Sequence, residues 1–181
     1  MGFTLTALLV MVVIGCDVST NQKRQQPMDV KNTNWKLSTE VFSVDILKGW
    51  YVHLKYEDTV YFRKPNSAER VMIAVAALTP SEDSSSLIRQ SRKEAISLSE
   101  DGRWKSIRMK VGGHLYEGIE FVVHPREADQ KHGKFIVRQV EITHKNRFIL
   151  IGCLLPNGKE TEDIKRILDS FQLIGGRDGQ F

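Results

Sequence analysis

The sequence predicts an α+β fold, with a mostly antiparallel sheet in a three-layer α/β/α sandwich and two amphipathic helices. Residues 71–78 and 148–151 are apolar at nearly every position, which is typical of strands covered on both faces. Two other segments, within residues 79–101 and 157–171, repeat apolar residues three and four positions apart, as helices with one buried side do. The connections between the predicted strands are mostly short, which favours antiparallel neighbours.

Alternating apolar and polar residues predict the first strands. Residues 41–46 form one strand, Lys48-Gly49 turns the chain, and residues 50–54 form the next strand. Residues 60–62 mark a short third strand. The apolar run at 71–78 then follows as the first strand that we expect to be buried on both faces.

The first helix is predicted from its capping signal and its apolar face. Thr79-Pro80-Ser81-Glu82 has the spacing of a capping box with proline at the first helical position, and Asp101-Gly102 ends the segment. The side expected to face the core consists of Ile88, Ser91, Ala95 and Leu98, and the opposite side is largely basic, with Arg89, Arg92 and Lys93.

Two hairpins are predicted after this helix. Residues 104–111 and 115–123 are joined at Gly112-Gly113, a dipeptide typical of a tight turn. Residues 135–143 and 147–155 form the second hairpin. The last of these strands is again apolar on both faces, and it contains Cys153.

The second helix is predicted after Asn157-Gly158-Lys159-Glu160, which resembles an N-cap with glutamate three residues on. Ile164, Ile167, Leu168 and Phe171 give it one apolar stripe. The predicted α+β domain spans residues 38–174, and the polar, glycine-rich residues 175–181 form a frayed tail.

The first residues of the chain have a different character. The apolar run from Phe3 to Gly15 is shorter than the about 20 residues that span a membrane, but it matches the roughly 7–15-residue core of a signal peptide. It ends in Val13-Ile14-Gly15-Cys16, which resembles the lipobox of bacterial lipoproteins. The resemblance implies that residues 1–15 are a signal peptide and that Cys16 becomes a lipidated N-terminus, in contact with the lipid bilayer.

Other interpretations of this segment stay open. Met1-Gly2 carries no Lys or Arg, so either the signal is atypical or the true start lies upstream. Met1-Gly2 with Thr6 also matches the N-myristoylation pattern. A third possibility is that residues 3–15 are a buried strand or helix with Cys16 as a core thiol.

Composition indicates how the rest of the chain is organised. Residues 16–37 hold the candidate lipidated cysteine and a polar stretch that we expect to be a flexible tether, and Asp17 resembles an inner-membrane retention signal. The net charge of +4 suits a position near anionic headgroups and is too small and too dispersed to favour nucleic acid. With only Cys16 and Cys153 present, a lipidated Cys16 leaves no intramolecular disulfide.

Two short motifs resemble PsbP-like and DcrB-like domains. One runs from Phe42-Ser43-Val44 to Gly49-Trp50, and the other is Ile167-Leu168-Asp169-Ser170-Phe171. The order of strands, helix, hairpins and helix over about residues 40–174 is similar as well. That family includes extrinsic photosynthetic subunits, bacterial lipoproteins and a eukaryotic Ran-binding relative, so the resemblance implies docking rather than catalysis. No functional residue of the family maps onto a position of this sequence.

The reactive side chains do not form a recognisable catalytic or metal-binding motif. The five histidines include no i,i+4 pair, and neither HExxH nor CxxC occurs. His124 and His132 flank a loop with Glu127 and Asp129, where a metal site is conceivable, although exposed polar loop residues are the favoured interpretation.

The carboxylates and Cys153 are interpreted as structural. Glu117 and Glu120 are expected on opposite faces of one strand, and Glu141 is expected to face solvent in another. Cys153, with apolar neighbours, is expected to be an inert core thiol. We therefore predict no catalytic residue, no metal site and no cofactor, and the ligand-binding residues stay unknown.

These observations favour a membrane-anchored envelope lipoprotein that is not an enzyme. We expect it at the bacterial cell membrane, held by a lipid anchor and facing the periplasm or the cell exterior. Its domain would act as a docking or assembly module for an envelope protein partner. The alternative is a periplasmic small-ligand carrier that uses a cleft between sheet and helix.

Overall fold

The computed structural model describes residues 33–56, 59–79, 83–124 and 133–175. In these ranges the chain forms two helices and two sheets, and all the strand pairs recorded are antiparallel. The predicted α+β class with mostly antiparallel strands is therefore confirmed. Cys16 and the predicted signal peptide lie outside the described residues.

The strands and helices follow the predicted order closely. The strands are β1 (Trp35–Ser38), β2 (Phe42–Ile46), β3 (Tyr51–Tyr56), β4 (Thr59–Arg63), β5 (Arg70–Ala77), β6 (Lys105–Val111), β7 (His114–Val123), β8 (Phe135–His144), β9 (Arg147–Pro156) and β10 (Gln172–Leu173). The helices are α1 (Ser84–Leu98) and α2 (Glu162–Asp169). Neither helix is long and apolar enough to cross a membrane.

The strands divide between a large and a small sheet, a division that the sequence analysis did not anticipate. The large sheet has the order β3-β4-β5-β9-β8-β7-β6, and the small sheet has the order β1-β2-β10. The separation begins at the predicted turn, where the N–H of Trp50 donates to the carbonyl of Leu47 at 2.9 Å and Gly49 has φ +84°. Consequently β2 pairs with β1 and β10 rather than with β3.

The central strands β5 and β9 are covered on both faces, as predicted. In β9, Ile149 and Ile151 belong to one apolar core, and Phe148 and Leu150 belong to the other. Helix α1 covers the core with Phe148, whereas the small sheet and α2 together cover the core with Ile149. The sandwich therefore has three layers, and its third layer combines a helix with a small sheet.

Helix α1 begins later than the predicted capping box. Its N-cap is Asp83, whose side chain accepts a hydrogen bond from the N–H of Ser85 at 3.0 Å. Pro80, Ser81 and Glu82 of the predicted box lie outside the described residues. The predicted core-facing side is confirmed for Ser91 and Ala95, which are fully buried, although Ile88 and Leu98 are only half-buried.

Helix α2 also begins one turn later than predicted, with Thr161 rather than Asn157 as its N-cap. Asn157 and Gly158 instead form a turn after β9, with φ of +55° and +71°. The apolar stripe is buried as predicted at Ile164, Ile167 and Leu168. Phe171 is buried too, but it lies beyond the helix and its ring stacks on Phe42 with centroids 5.6 Å apart.

The first strand corrects the predicted boundary between tether and domain. Residues Trp35–Ser38 pair with β2, although residues 35–37 had been assigned to the tether at 16–37. Leu37 is buried in the core beneath the small sheet. The folded domain therefore includes β1, and it begins no later than Trp35.

Candidate functional site

Helix α1 contacts the large sheet through a buried polar cluster, which we call the α1 seam. The helix contributes Ser91 and Glu94, and strand β8 contributes Gln139 and Glu141. Because Gln139 and Glu141 are two residues apart in a strand, their side chains share the face that α1 covers. All four side chains are buried or nearly so.

Hydrogen bonds link the helix to the strand across this seam. Gln139 Nε2 donates to Ser91 Oγ at 2.9 Å and to Glu141 Oε1 at 3.2 Å, and Ser91 Oγ donates to Glu141 Oε1 at 3.2 Å. The side chain of Glu141 is only 1% exposed, so the expectation that it faces solvent is wrong. Glu141 lies on the face of β8 that α1 covers.

Arg92 is the charged partner of Glu141. Its Nη2 atom lies 3.7 Å from Glu141 Oε2, and its guanidinium carbon lies 5.5 Å from the centroid of the Trp104 ring. Burial raises the pKa of Glu141, and this effect outweighs the hydrogen bond from Gln139 and the attraction of Arg92. Loss of a proton from this carboxyl group is therefore costly in the folded protein.

Glu94 is the second buried carboxylate of the seam. Its Oε1 atom accepts a hydrogen bond from Gln90 Nε2 at 3.1 Å. Within the described part of the chain, Oε2 of Glu94 and Oε2 of Glu141 have no hydrogen-bond partner. The seam thus has spare acceptor capacity, which a proton, a water molecule or a cationic group can satisfy.

A second charged network lies on the opposite face of the large sheet. Glu120 contacts Lys105 Nζ at 2.7 Å and Arg138 Nε at 2.7 Å, and Arg138 Nη1 contacts Glu160 Oε2 at 2.9 Å. Burial tends to raise the pKa of Glu120, but the hydrogen bonds from Lys105 and Arg138 outweigh it, so the pKa is lowered. This network joins three neighbouring strands to the segment before α2, which is a structural role.

A third network attaches the start of α2 to the rest of the domain. Trp50, which is fully buried, donates from Nε1 to Asp163 Oδ2 at 3.0 Å, and Lys64 Nζ lies 2.9 Å from the same oxygen. The hydrogen bond from Trp50, followed by that from Lys64, lowers the pKa of Asp163. The tryptophan of the predicted Gly49-Trp50 motif is thus a core residue with a polar anchor.

Cys153 behaves as the sequence analysis predicted. It is 1% exposed, and its Sγ lies 3.7 Å from the carbonyl oxygen of Arg138, to which it donates. Burial raises the pKa of this thiol to about 12. A thiol that stays protonated at neutral pH is a poor nucleophile.

The histidine loop proposed from sequence lies mostly outside the described residues. Only His124 of that group is described, and it is exposed, whereas Glu127, Asp129 and His132 are among the residues not described. In the described ranges, no group of three or more His, Cys, Asp or Glu residues is arranged to hold a metal ion.

Of the two carboxylates in the α1 seam, Glu141 was predicted to lie in a strand, but no local signal in the sequence indicated that α1 covers it.

Comparison with known proteins gives information on the fold of this chain. No protein-family model and no curated protein matches this chain. Solved structures do match, among them a protein of Bacteroides thetaiotaomicron VPI-5482 with a TM-score of 0.55 and 14% identity over 83% of this chain. The match covers 51% of the Bacteroides chain, so this chain spans about half the length of that protein.

Two further structures are more distant. The Ran-binding protein Mog1p of Saccharomyces cerevisiae matches 80% of this chain and 97% of its own, with a TM-score of 0.46 and 7% identity. The cyanobacterial PsbP of Synechocystis sp. PCC 6803 matches 86% of this chain and 98% of its own, with a TM-score of 0.48 and 10% identity. The likeness to the Bacteroides protein supports the α+β fold, and at these identities the comparisons do not extend to function.

Proposed function

We propose that this protein is a membrane-anchored lipoprotein of the bacterial cell envelope, and that its α+β domain is a non-catalytic docking or assembly module. The observation that carries the proposal is the motif Val13-Ile14-Gly15-Cys16 at the end of an apolar run. Acylation of Cys16 would hold the protein at the bilayer, facing the periplasm or the cell exterior. The partner would be another envelope protein.

The two cysteines differ in a way that supports this assignment. Cys153 is buried, and its raised pKa keeps the thiol protonated. Cys16 is followed by a polar stretch of about 20 residues before β1, and a flexible chain of that length reaches roughly 25 Å. That reach would allow the domain to contact a partner near the membrane while it stays anchored.

The use of the polar side chains supports a non-catalytic role. The α1 seam, the Glu120 network and the Trp50–Asp163–Lys64 network each connect two or more elements of the fold. Hydrogen bonds of this kind stabilise one arrangement of elements. A domain whose elements are joined in this way can present a fixed surface to another macromolecule.

Replacement of Cys16 tests the anchoring. We expect Cys16→Ser to abolish lipidation, because the cysteine sulfur is the atom that carries the diacylglyceryl group. The wild-type protein of the membrane fraction should lack residues 1–15 and carry acyl mass, whereas the variant should be uncleaved or mislocalised. Intact-mass measurement of both proteins decides it, and a wild-type protein that still carries Met1 and no acyl mass would contradict the proposal.

The carrier function remains a second candidate because of the α1 seam. Two buried carboxylates with spare acceptor atoms, Glu94 and Glu141, lie where the sequence analysis expected a cleft between sheet and helix. A bound molecule with a cationic group would satisfy them. Native mass spectrometry of protein purified from envelopes tests this: a small molecule present in the wild type and lost in Glu141→Gln would favour the carrier.

A further inference from the structure

We propose that helix α1 rests on the anionic lipid surface through its outward-facing side, which carries Arg89, Lys93 and Ile96 and which we call the α1 outer face. This inference rests on the proposed anchoring and adds an orientation to it. Contact through α1 would leave the layer with α2 and the small sheet free for a protein partner.

The α1 outer face is cationic and includes no acidic side chain. The exposed residues of the helix are Ser85, Ser86, Arg89, Lys93, Ile96 and Ser97. Arg89 and Lys93 form no ion pair with any residue in the ranges that the structure describes. Ile96 is 43% exposed beside them, one of few large apolar side chains of the described surface that reach this exposure.

Helix α2 provides the contrast, because its exposed charges are mixed and mostly paired. Its exposed residues are Glu162, Lys165, Arg166 and Asp169. Lys165 Nζ lies 2.9 Å from Glu162 Oε1, and Asp169 Oδ1 lies 3.4 Å from Lys110 Nζ. The exposed charges of α2 therefore largely neutralise one another or are neutralised by nearby residues, whereas the exposed charges of α1 are not neutralised in this way.

The surroundings of the α1 outer face confine the cationic region to the body of the helix. Arg92 is 35% exposed, and its guanidinium group lies against the buried Glu141 and the Trp104 ring. Glu100 and Asp101 lie beyond the end of the helix, where Asp101 Oδ1 accepts hydrogen bonds from Ser99 Oγ at 2.8 Å and from the Arg103 N–H at 3.0 Å. The uncompensated charge therefore belongs to Arg89 and Lys93.

The length of the tether permits this orientation. The chain enters the domain at β1, in the layer opposite α1. The roughly 17 residue steps from Cys16 to Thr33 span about 55 Å when extended. Three packed layers are about 30 Å thick, so the tether can pass the edge of the sheet.

The expected attraction between α1 and an anionic leaflet is too small to hold a free protein at the membrane, but it is sufficient to orient a domain that is already anchored. Each Lys or Arg near an anionic leaflet contributes about 1 kcal/mol, which is about fivefold in binding, so two of them give about 25-fold. A short flexible tether adds an effective concentration in the millimolar range. Together these effects would favour one orientation of the anchored domain.

Vesicle binding by full-length protein with Cys16→Ser tests the inference without any contribution from acylation. Cosedimentation is measured with phosphatidylcholine vesicles that contain 40% phosphatidylglycerol or none, at low salt. The apolar residues 3–15 contribute to binding of both kinds of vesicle. The ratio of the two partition coefficients therefore reports the electrostatic part of vesicle binding. We expect Arg89→Gln/Lys93→Gln to lower this ratio about 25-fold.

The matched control removes the same charge from α2. We expect Lys165→Gln/Arg166→Gln to change the ratio less than about twofold, since those residues would face away from the lipid. An equal fall in both double variants, no fall in the α1 variant, or a ratio near one in the parent protein would each overturn the inference. Because the protein is not acylated, failure here is distinct from failure of the anchoring, which intact mass reports.

Discussion

At the scale of a single residue, Glu141 should control the pH dependence of stability. Its pKa in the folded protein is raised above the ordinary 4.5. Its contribution to stability is therefore fully present below pH 4.5 and is lost as the pH rises through the folded-state pKa. We expect Glu141→Gln, which cannot ionise, to gain melting temperature relative to the wild type as the pH rises to 7.

Thermal melts between pH 4 and pH 7 measure this effect, with two control variants. Glu117→Gln removes an exposed carboxylate of β7 and controls for the loss of one negative charge. Glu120→Gln should have the opposite sign, because a lowered pKa contributes stability above pH 4.5 that is lost as the pH falls through the folded-state pKa. If Glu141→Gln followed the wild-type profile, the carboxyl group would not be desolvated.

Glu141 also marks a limit of sequence analysis at this scale. Gln139 and Glu141 share one face of β8, because side chains two residues apart in a strand point the same way. Alternation cannot tell which face a distant helix will cover, because that depends on where α1 packs. The polar character of Glu141 favoured solvent, although Ser91 and Gln139 supply the hydrogen bonds that make its burial possible.

At the scale of one element, the end of α2 is fixed by a buried aromatic side chain. We expect Phe171→Ala to destabilise the domain by about 3–5 kcal/mol, because it removes a buried ring that stacks on Phe42 and leaves a cavity. A whole domain has only about 5–15 kcal/mol of stability. Urea melts of the variant and the wild type measure the loss.

The adjacent residue is the control. Gln172 is exposed, so Gln172→Ala should change stability by less than about 0.5 kcal/mol. Small and equal losses in both variants would mean that the Phe171 ring does not lie in the core. The apolar stripe of Ile164, Ile167 and Leu168 would then become a candidate partner-binding face.

The elements themselves were predictable from periodicity, but their caps were not. The helices were found because apolar residues recur three and four positions apart, and the buried strands because β5 and β9 are apolar on both faces. Each helix was placed one turn too early because a capping-like motif precedes the true N-cap, Asp83 or Thr161. Asn and Gly are favoured both at N-caps and in turns, and Asn157 and Gly158 form a turn with positive φ angles.

At the scale of the whole molecule, β1 should determine where the stable domain begins. We expect a fragment of residues 33–175 to unfold cooperatively, and a fragment of residues 40–175 to be at least about 2 kcal/mol less stable. The shorter fragment loses the buried Leu37 and leaves one edge of β2 unpaired. Urea melts compare the two fragments.

Trimming at the other end of the chain is the control for this comparison. Residues 176–181 are polar and glycine-rich apart from Phe181, so fragments 33–175 and 33–181 should melt alike. Equal stability of the 40–175 and 33–175 fragments would show that β1 contributes nothing, and would restore the predicted boundary at residue 38.

The pairing of β5 with β9 has a consequence for the order in which the chain folds. These central strands, which place Met72 opposite Gly152, are far apart in sequence, with α1 and three strands between them. Pairing of sequence-distant strands is slow, and here it requires the chain through Pro156. Under the export that we propose for this protein, this order would be useful, because the segment that crosses the membrane first could not complete its sheet while the rest was still in transit. The domain would then acquire its stable form only on the far side of the membrane.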